Sequence, residues 1–174
     1  MRETSAEIGA LQVLLDRSVA GGSRQLRDIV TPHRRLNARQ LVVELVGMKV
    51  LVVATVTAAG EPRTSCLDGH FLNGQWLFST DASAIKARHL KVRPACSATH
   101  VDGERYAVFT HGHADYIDAG HPAFAGSVDY FTEFYGSSPL EWGPHIVFFR
   151  LRPTWMVAYA AEPASFPEAP VTAN

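Results

Sequence analysis

The stretch that decides the fold is RTSCLDGHFLNGQWLFS, residues 63–79. Arg63 to Leu72 reads as a strand. Successive side chains on a strand point to opposite faces. Arg63, Ser65, Leu67 and Gly69 therefore share one face, and Thr64, Cys66, Asp68 and His70 share the other. Asn73-Gly74 follows. That pair suits the positive φ angles of a two-residue hairpin turn, and Gln75 to Ser79 reads as the returning strand. An antiparallel hairpin thus sits near the middle of the chain.

Upstream, Val50 to Val56 is a β-branched run. It reads as one strand buried on both faces, with a turn cluster at Ala58 to Pro62. Downstream, residues 78–94 read FSTDASAIKARHLKVRP. A strand ends in small hydroxyl residues, and a helix is expected from about Ser83 to Arg93, stopped before Pro94. Cys96 to Val101 and Tyr106 to Ile117 read as strands joined at Asp102-Gly103. A helix is expected over Val128 to Tyr135, ended by Gly136. Ile146 to Leu151 and Trp155 to Tyr159 read as two last strands around Arg152-Pro153. Hairpin connections imply antiparallel pairing, and a small barrel buries such strands without long open edges. The expected class is mainly β, about six to seven strands with accessory helices.

Residues 1–47 form an expected helical extension. Ile8, Leu11, Leu14 and Leu15 recur at helical spacing in the first helix. Arg24 to Val30 is ambiguous. Asn37 is a candidate N-cap for a helix from Ala38 to Val46. The barrel domain is expected over 48–160. The Pro- and Ala-rich residues 161–174 read as a flexible tail.

Composition narrows the function. The 174 residues are 47% hydrophobic and 19% charged, with net charge −1. That is ordinary globular composition and gives no reason to expect nucleic acid as a partner. The N-terminus offers no long apolar run, so neither a secretory signal nor a membrane span is expected. Two cysteines without paired spacing suggest reduced thiols in a cytoplasm. No Gly-x-Ser-x-Gly elbow, Walker loop or Rossmann fingerprint occurs. His111 and His113 could share a face, but no third ligand stands at recognisable spacing, so no metal is expected. Cys66, facing away from Arg63, is expected in the core. The basic helix is the sharper signal. Unpaired N–H groups at its start, with Ser79 and Thr80 before it, suit a phosphate. Lys86, His89 and Arg93 fall on one face, and Arg63 is one hairpin away. The plain alternative is a solvated basic face.

Arg63 with Ser65, Phe78-Ser79-Thr80, Lys86, Leu90, Pro94 and Gly112-His113-Ala114 together resemble the pyridoxamine 5′-phosphate oxidase-like superfamily. These are FMN-binding split β-barrels, related to the deazaflavin-dependent reductases. The resemblance spans roughly Leu41 to Tyr159. It implies a homodimer with flavin in clefts between subunits. Arg63 and Lys86 would hold the flavin phosphate, with Phe78, Ser79 and Thr80 near the phosphate and ribityl chain. Thr64, Ser65 and Cys66 would lie along the ring, and Trp142 would approach from the other subunit. Ala84-Ile85-Lys86 replaces the oxidase's Ser-Arg-Lys, so one arginine is missing, and Arg88 or His89 would compensate. Many deazaflavin-binding relatives carry asparagine where His89 stands. The oxidase's Arg-x-His substrate signature does not follow Tyr159, so pyridoxamine phosphate oxidation is not expected. The implied activity is an oxidoreductase passing hydride to or from a small molecule, with FMN or the deazaflavin coenzyme F420. Haem is a further candidate, since some split-barrel relatives bind it and the chain has eight histidines. A carrier or sensor without turnover is the alternative of another class. No catalytic residue is assigned, although His113 is a candidate general acid or substrate-anion contact.

Overall fold

The computed structural model describes residues 3–170. Within them, six strands close into an antiparallel barrel in the order β1-β2-β3-β6-β5-β4. They are β1 (Met48–Val56), β2 (Pro62–Leu72), β3 (Gln75–Asp81), β4 (Ala95–Asp102), β5 (Tyr106–Ile117) and β6 (Ile146–Ala160). Five helices accompany them: α1 (Ser5–Ala20), α2 (Arg24–Ile29), α3 (Ala38–Glu44), α4 (Ile85–Val92) and α5 (Phe124–Tyr135). The β2–β3 turn forms as its sequence requires, with φ of 53° at Asn73 and 74° at Gly74. Asn37 caps α3 in a reciprocal box with Gln40, and Thr4 does the same for α1 with Glu7.

Inward residues fill the barrel. Trp76, Phe78, Phe149, Leu51, Val53 and Leu151 are essentially inaccessible to solvent. The indole N–H of Trp76 donates to Thr110 Oγ1 at 3.1 Å, which satisfies the polar group that burial would otherwise leave unpaired. α1 turns Leu11, Leu14, Leu15 and Ser18 inward at helical spacing. The Ser18 hydroxyl accepts from the Met156 N–H at 2.9 Å and fastens α1 to β6.

Four expectations are corrected. The last two strands are one, because β6 runs through Pro153 on a bulge. His111 pairs with Trp155 but Gly112 pairs with Pro153, so Thr154 is the extra residue. A bulge lets a proline lie in a strand without a ladder N–H. β1 is buried on its inner face only. Met48, Val50 and Val52 are exposed at 41%, 54% and 38% because no helix covers that face. Cys66 shares this outer face, opposite Val52, and is exposed rather than core. The segment read as a flexible tail packs as far as it is described. Phe166 and Ala169 are buried, the Ala169 N–H donates to the Arg39 carbonyl at 3.1 Å, and the Gln40 amide donates to the Pro163 carbonyl at 2.8 Å. Residues 1–2 of the expected extension and 171–174 of the expected tail lie outside the described residues. Element ends also move: α5 begins at Phe124, ahead of Val128, and α3 stops at Glu44.

α5 covers a second cluster, in which Phe131 packs with Leu77, Ile117 and Phe148. At its edge His70 is fully buried among the rings of Tyr130, Phe131, Phe134 and Tyr135. Its Nδ1 lies 2.9 Å from the Tyr130 hydroxyl and its Nε2 3.0 Å from the Tyr135 hydroxyl. The Tyr135 hydroxyl donates to Asp68 Oδ2 at 3.4 Å. One proton per hydroxyl then makes Nε2 the ring donor, with Tyr130 donating to Nδ1. Burial lowers the His70 pKa to about 4, although Asp68 pulls the other way.

Two consequences follow. A Cβ added at Gly112 would lie 2.1 Å from the Arg152 carbonyl oxygen. Gly112→Ala should therefore cost about 1–3 kcal/mol, as overpacking against backbone does, measured by urea unfolding. An unchanged midpoint would mean that the bulge relaxes freely. For His70, the unfolded chain gains a proton near pH 6.5 while the folded chain resists until about pH 4. Stability should thus fall as pH drops through this window. The loss between pH 7 and pH 4.5 should be smaller in His70→Gln than in the wild type, and equal losses would contradict a neutral buried imidazole.

Candidate functional site

The expected cofactor residues separate into three places. The first is the barrel end where β1 finishes and β2 begins. Thr55 is inward and buried at 2% exposure, and Arg63 lies opposite it in the β1–β2 register. α4 lies over this end with Ala87 and Leu90 buried in the core. His89 Nδ1 meets Thr55 Oγ1 at 3.0 Å, and Arg93 Nε donates to the Val56 carbonyl at 2.9 Å. These two hydrogen bonds fix the helix to the strand. Lys86 stands three residues before His89 and so on the same helical face. It is half-buried and forms no salt bridge among the described residues. Arg63 is exposed and pairs with Glu61 at 2.6 Å. An anion here would compete with Glu61 for the guanidinium, and a solvent-exposed pair of this kind is a weak competitor.

The second place is the outer surface of the sheet. Thr64 and Cys66 project there beside Ala54 and Val52, their cross-strand partners. Ser65 is half-buried and belongs to the opposite face by alternation. β4 and β5 continue this surface with exposed Val101 and Phe109. His111 lies further along β5, stacked on Trp155 with its Nδ1 2.8 Å from Ser97 Oγ. His113 is exposed one bulge away, opposite Arg152. The other cysteine, Cys96, is buried, and burial pushes its thiol up to about 12, so it carries no thiolate near neutral pH.

The third place is a pocket of about 340 Å³ lined by Asp68, Ser79, Tyr135 and Trp142. It brings Ser79 and Trp142 together. Trp142 also packs edge-on against Tyr135 of its own chain. Phe78 belongs to none of these places. Its side chain stacks on Phe149 inside the barrel and is inaccessible, so only its backbone could serve a ligand. Thr80 shares the inward parity of Phe78 and is half-buried at the strand end. Asp81 then turns the chain into α4, accepting from the N–H and hydroxyl of Ser83, which hold its carboxyl below the usual range.

Thr55 and the Arg93 side chain complete the first place, and each has one sign in the sequence. Thr55 is the polar residue in an otherwise apolar run, and Arg93 is seven residues from Lys86 on the same face. The tyrosine-clasped His70 had no sign beyond the aromatic richness of the helix that covers it.

No helix among the described residues is long and apolar enough to cross a membrane. By sequence the chain matches no family model and no curated protein. By structure it is similar to several solved proteins. One is a pyridoxamine 5′-phosphate oxidase-related, FMN-binding protein from Nostoc punctiforme, at 19% identity and TM-score 0.54, covering 69% of this chain and 77% of that one. Another is HutZ, the haem storage protein from Vibrio cholerae, at 21% identity and TM-score 0.55, covering 64% and 86%. A third is an F420 reductase, at 19% identity and TM-score 0.52, covering 64% and 91%. With its six-stranded closed barrel and flanking helices, the chain has the split-barrel fold of the pyridoxamine 5′-phosphate oxidase-like proteins.

Proposed function

We propose that this chain binds a flavin-type cofactor, FMN in the first instance, and serves as an oxidoreductase acting on a small molecule. The observation that carries this reading is the placement of α4. Its bonds to Thr55 and Val56 set Lys86, His89 and Arg93 over the strand end from which Arg63 projects. The donor set fits a phosphate: a guanidinium fork, a compact ammonium and an imidazole whose Nδ1 is already engaged. The missing arginine at Ile85 is consistent with this, since Ile85 is 62% exposed and points away from the core. Arg93, with Nε bound to Val56, keeps its terminal amino groups for the anion.

A bound flavin would supply the hydride chemistry, so the protein needs no nucleophile of its own. The chain's part is to hold and orient. Arg63 releases Glu61 to meet the phosphate, Lys86 adds a point charge, and His89 keeps α4 in register through Thr55. Backbone and hydroxyl groups of Thr64 and Ser65 lie on the strand that continues from Arg63. The deazaflavin coenzyme carries a phosphate as well and suits the same donors. Haem would instead require a ligand such as the exposed His113.

The exposed apolar surface of Met48, Val50, Val52, Val101 and Phe109 supports a second copy of this chain as its cover. A cleft between two copies would then lie beside Thr64 and Cys66, next to the phosphate donors.

The test combines isothermal titration of FMN and F420 with sedimentation. Wild type should bind one of them. Lys86→Ala and Arg63→Ala should each weaken binding about tenfold or more, the usual cost of a lost charged hydrogen bond. Val52→Glu should give monomers and lose cofactor as well. Failure of both cofactors to bind would sink the flavin reading, and a wild-type monomer would sink the dimer.

A further inference from the structure

A cavity of about 620 Å³ lies at the other end of the barrel. Arg63 lies at the start of β2 near α4, just after Pro62, whereas Leu72 ends β2 at this cavity, about 30 Å further along at strand rise. Its walls come from three elements that are distant in sequence. α1 contributes Leu14 and Arg17, the hairpin contributes Gln75, and β6 contributes Arg150 and Arg152. None of these residues belongs to the cofactor site described above.

The charges around the cavity are unequal. Arg152 is fully engaged by Asp115, with Nε to Oδ2 at 2.6 Å and Nη2 to Oδ1 at 2.7 Å. Arg150 lies directly across from Asp115 in the β5–β6 register, yet both carboxylate oxygens are taken by Arg152. Arg150 is half-buried and makes no ion pair among the described residues. Arg17 spends one amino group on the Thr154 carbonyl at 3.3 Å. The one acid of the wall, Glu7, is occupied by the α1 cap and the Asn73 amide, and these bonds hold its carboxyl below the usual range. A half-buried guanidinium without a counter-ion keeps its N–H donors free for an anion.

A second observation is independent of charge. Among the described residues, the amide oxygen of Gln75 is buried and meets no hydrogen-bond partner. A buried acceptor left unpaired costs about 1–3 kcal/mol. The last torsion of a glutamine is broad, so a donor arriving in the cavity can draw that oxygen to it.

We infer that this cavity is a binding site for a small organic anion, a carboxylate or phosphate that also carries a hydroxyl or ammonium group. Arg150 takes the anion, Arg17 supports it from α1, and Gln75 accepts from the hydroxyl or ammonium. Leu11 and Leu14 form an apolar floor beside these polar groups. The ligand would bridge α1 to β3 and β6, so it would also tighten the attachment of the N-terminal helix.

Isothermal titration of the full chain with glycerol 3-phosphate and with citrate tests this, using glycerol as the control without charge. At least one of the two anions should bind once per chain, more weakly at high salt, and glycerol should not. Arg150→Gln should weaken binding about tenfold or more, while Arg24→Gln on the exposed face of α2, away from both sites, should leave it unchanged. No binding of either anion up to about 10 mM, near the weak limit of specific recognition, would overturn the proposal. So would binding that survives Arg150→Gln, or binding that Arg24→Gln removes. Should Arg150→Gln fail to fold, nitrogen-15 spectra of the wild type decide. A ligand-dependent shift of the Gln75 side-chain amide supports the site, and an unmoved Gln75 signal under bound ligand overturns it.

Discussion

Two hydrogen bonds tie α4 to the end of β1, and the proposed phosphate site depends on them. His89 meets the hydroxyl of Thr55, and Arg93 reaches the carbonyl of Val56. A helix of eight residues cannot hold itself together in water. Burial of Ala87 and Leu90 supplies its stability, and the two bonds set its angle. Lys86, one turn before His89, is then carried half-buried on the same helical face. Packing and charge are thus coupled: the residues that seat the helix also aim its cations.

The barrel separates two kinds of polar site. At the α4 end the cations stand at the rim, where Glu61, exposed, is the acid in contact among the described residues. At the hairpin end the cations line a cavity beneath α1, and nearly every acid is already bound. Between them the inner core is apolar, with Trp76 and Thr110 satisfying each other. The outer sheet face is divided as well. α5 covers it over β2 and β3 through the ring of aromatics around His70, whereas over β1 and β4 it stays open.

Much of this was legible from local pattern. Asn73-Gly74, the alternation of residues 63–72 and the stop at Pro94 placed the hairpin and the helix within two residues of where they lie. Alternation also separated Arg63 from Cys66 correctly. It could not say which face was covered, since that depends on where α5 settles. Alternation therefore points Cys66 and Val52 to the core although they lie at the surface, and His70, on the same parity as Cys66, is buried. Pro153 read as a break because a proline cannot donate to a ladder. The bulge that rescues it depends on Gly112, 41 residues earlier in the chain. Phe166 and Ala169 lack any periodicity, and what gives them a place is docking on α3 and, for Phe166, the ring of Tyr106 on β5. Of the candidate site, the basic set was readable from spacing. The position of Phe78 inside the barrel was not, because strand parity names a side without naming which side is the interior.

The central claim is that the α4 end of the barrel grips a cofactor by its phosphate. Comparing the affinities of FMN and riboflavin, which differ only in that phosphate, tests it most directly. Fluorescence-quenching titrations at low salt should show FMN binding at least about tenfold tighter, the contribution expected of a charge-assisted hydrogen bond. Equal affinities for the two flavins would contradict it.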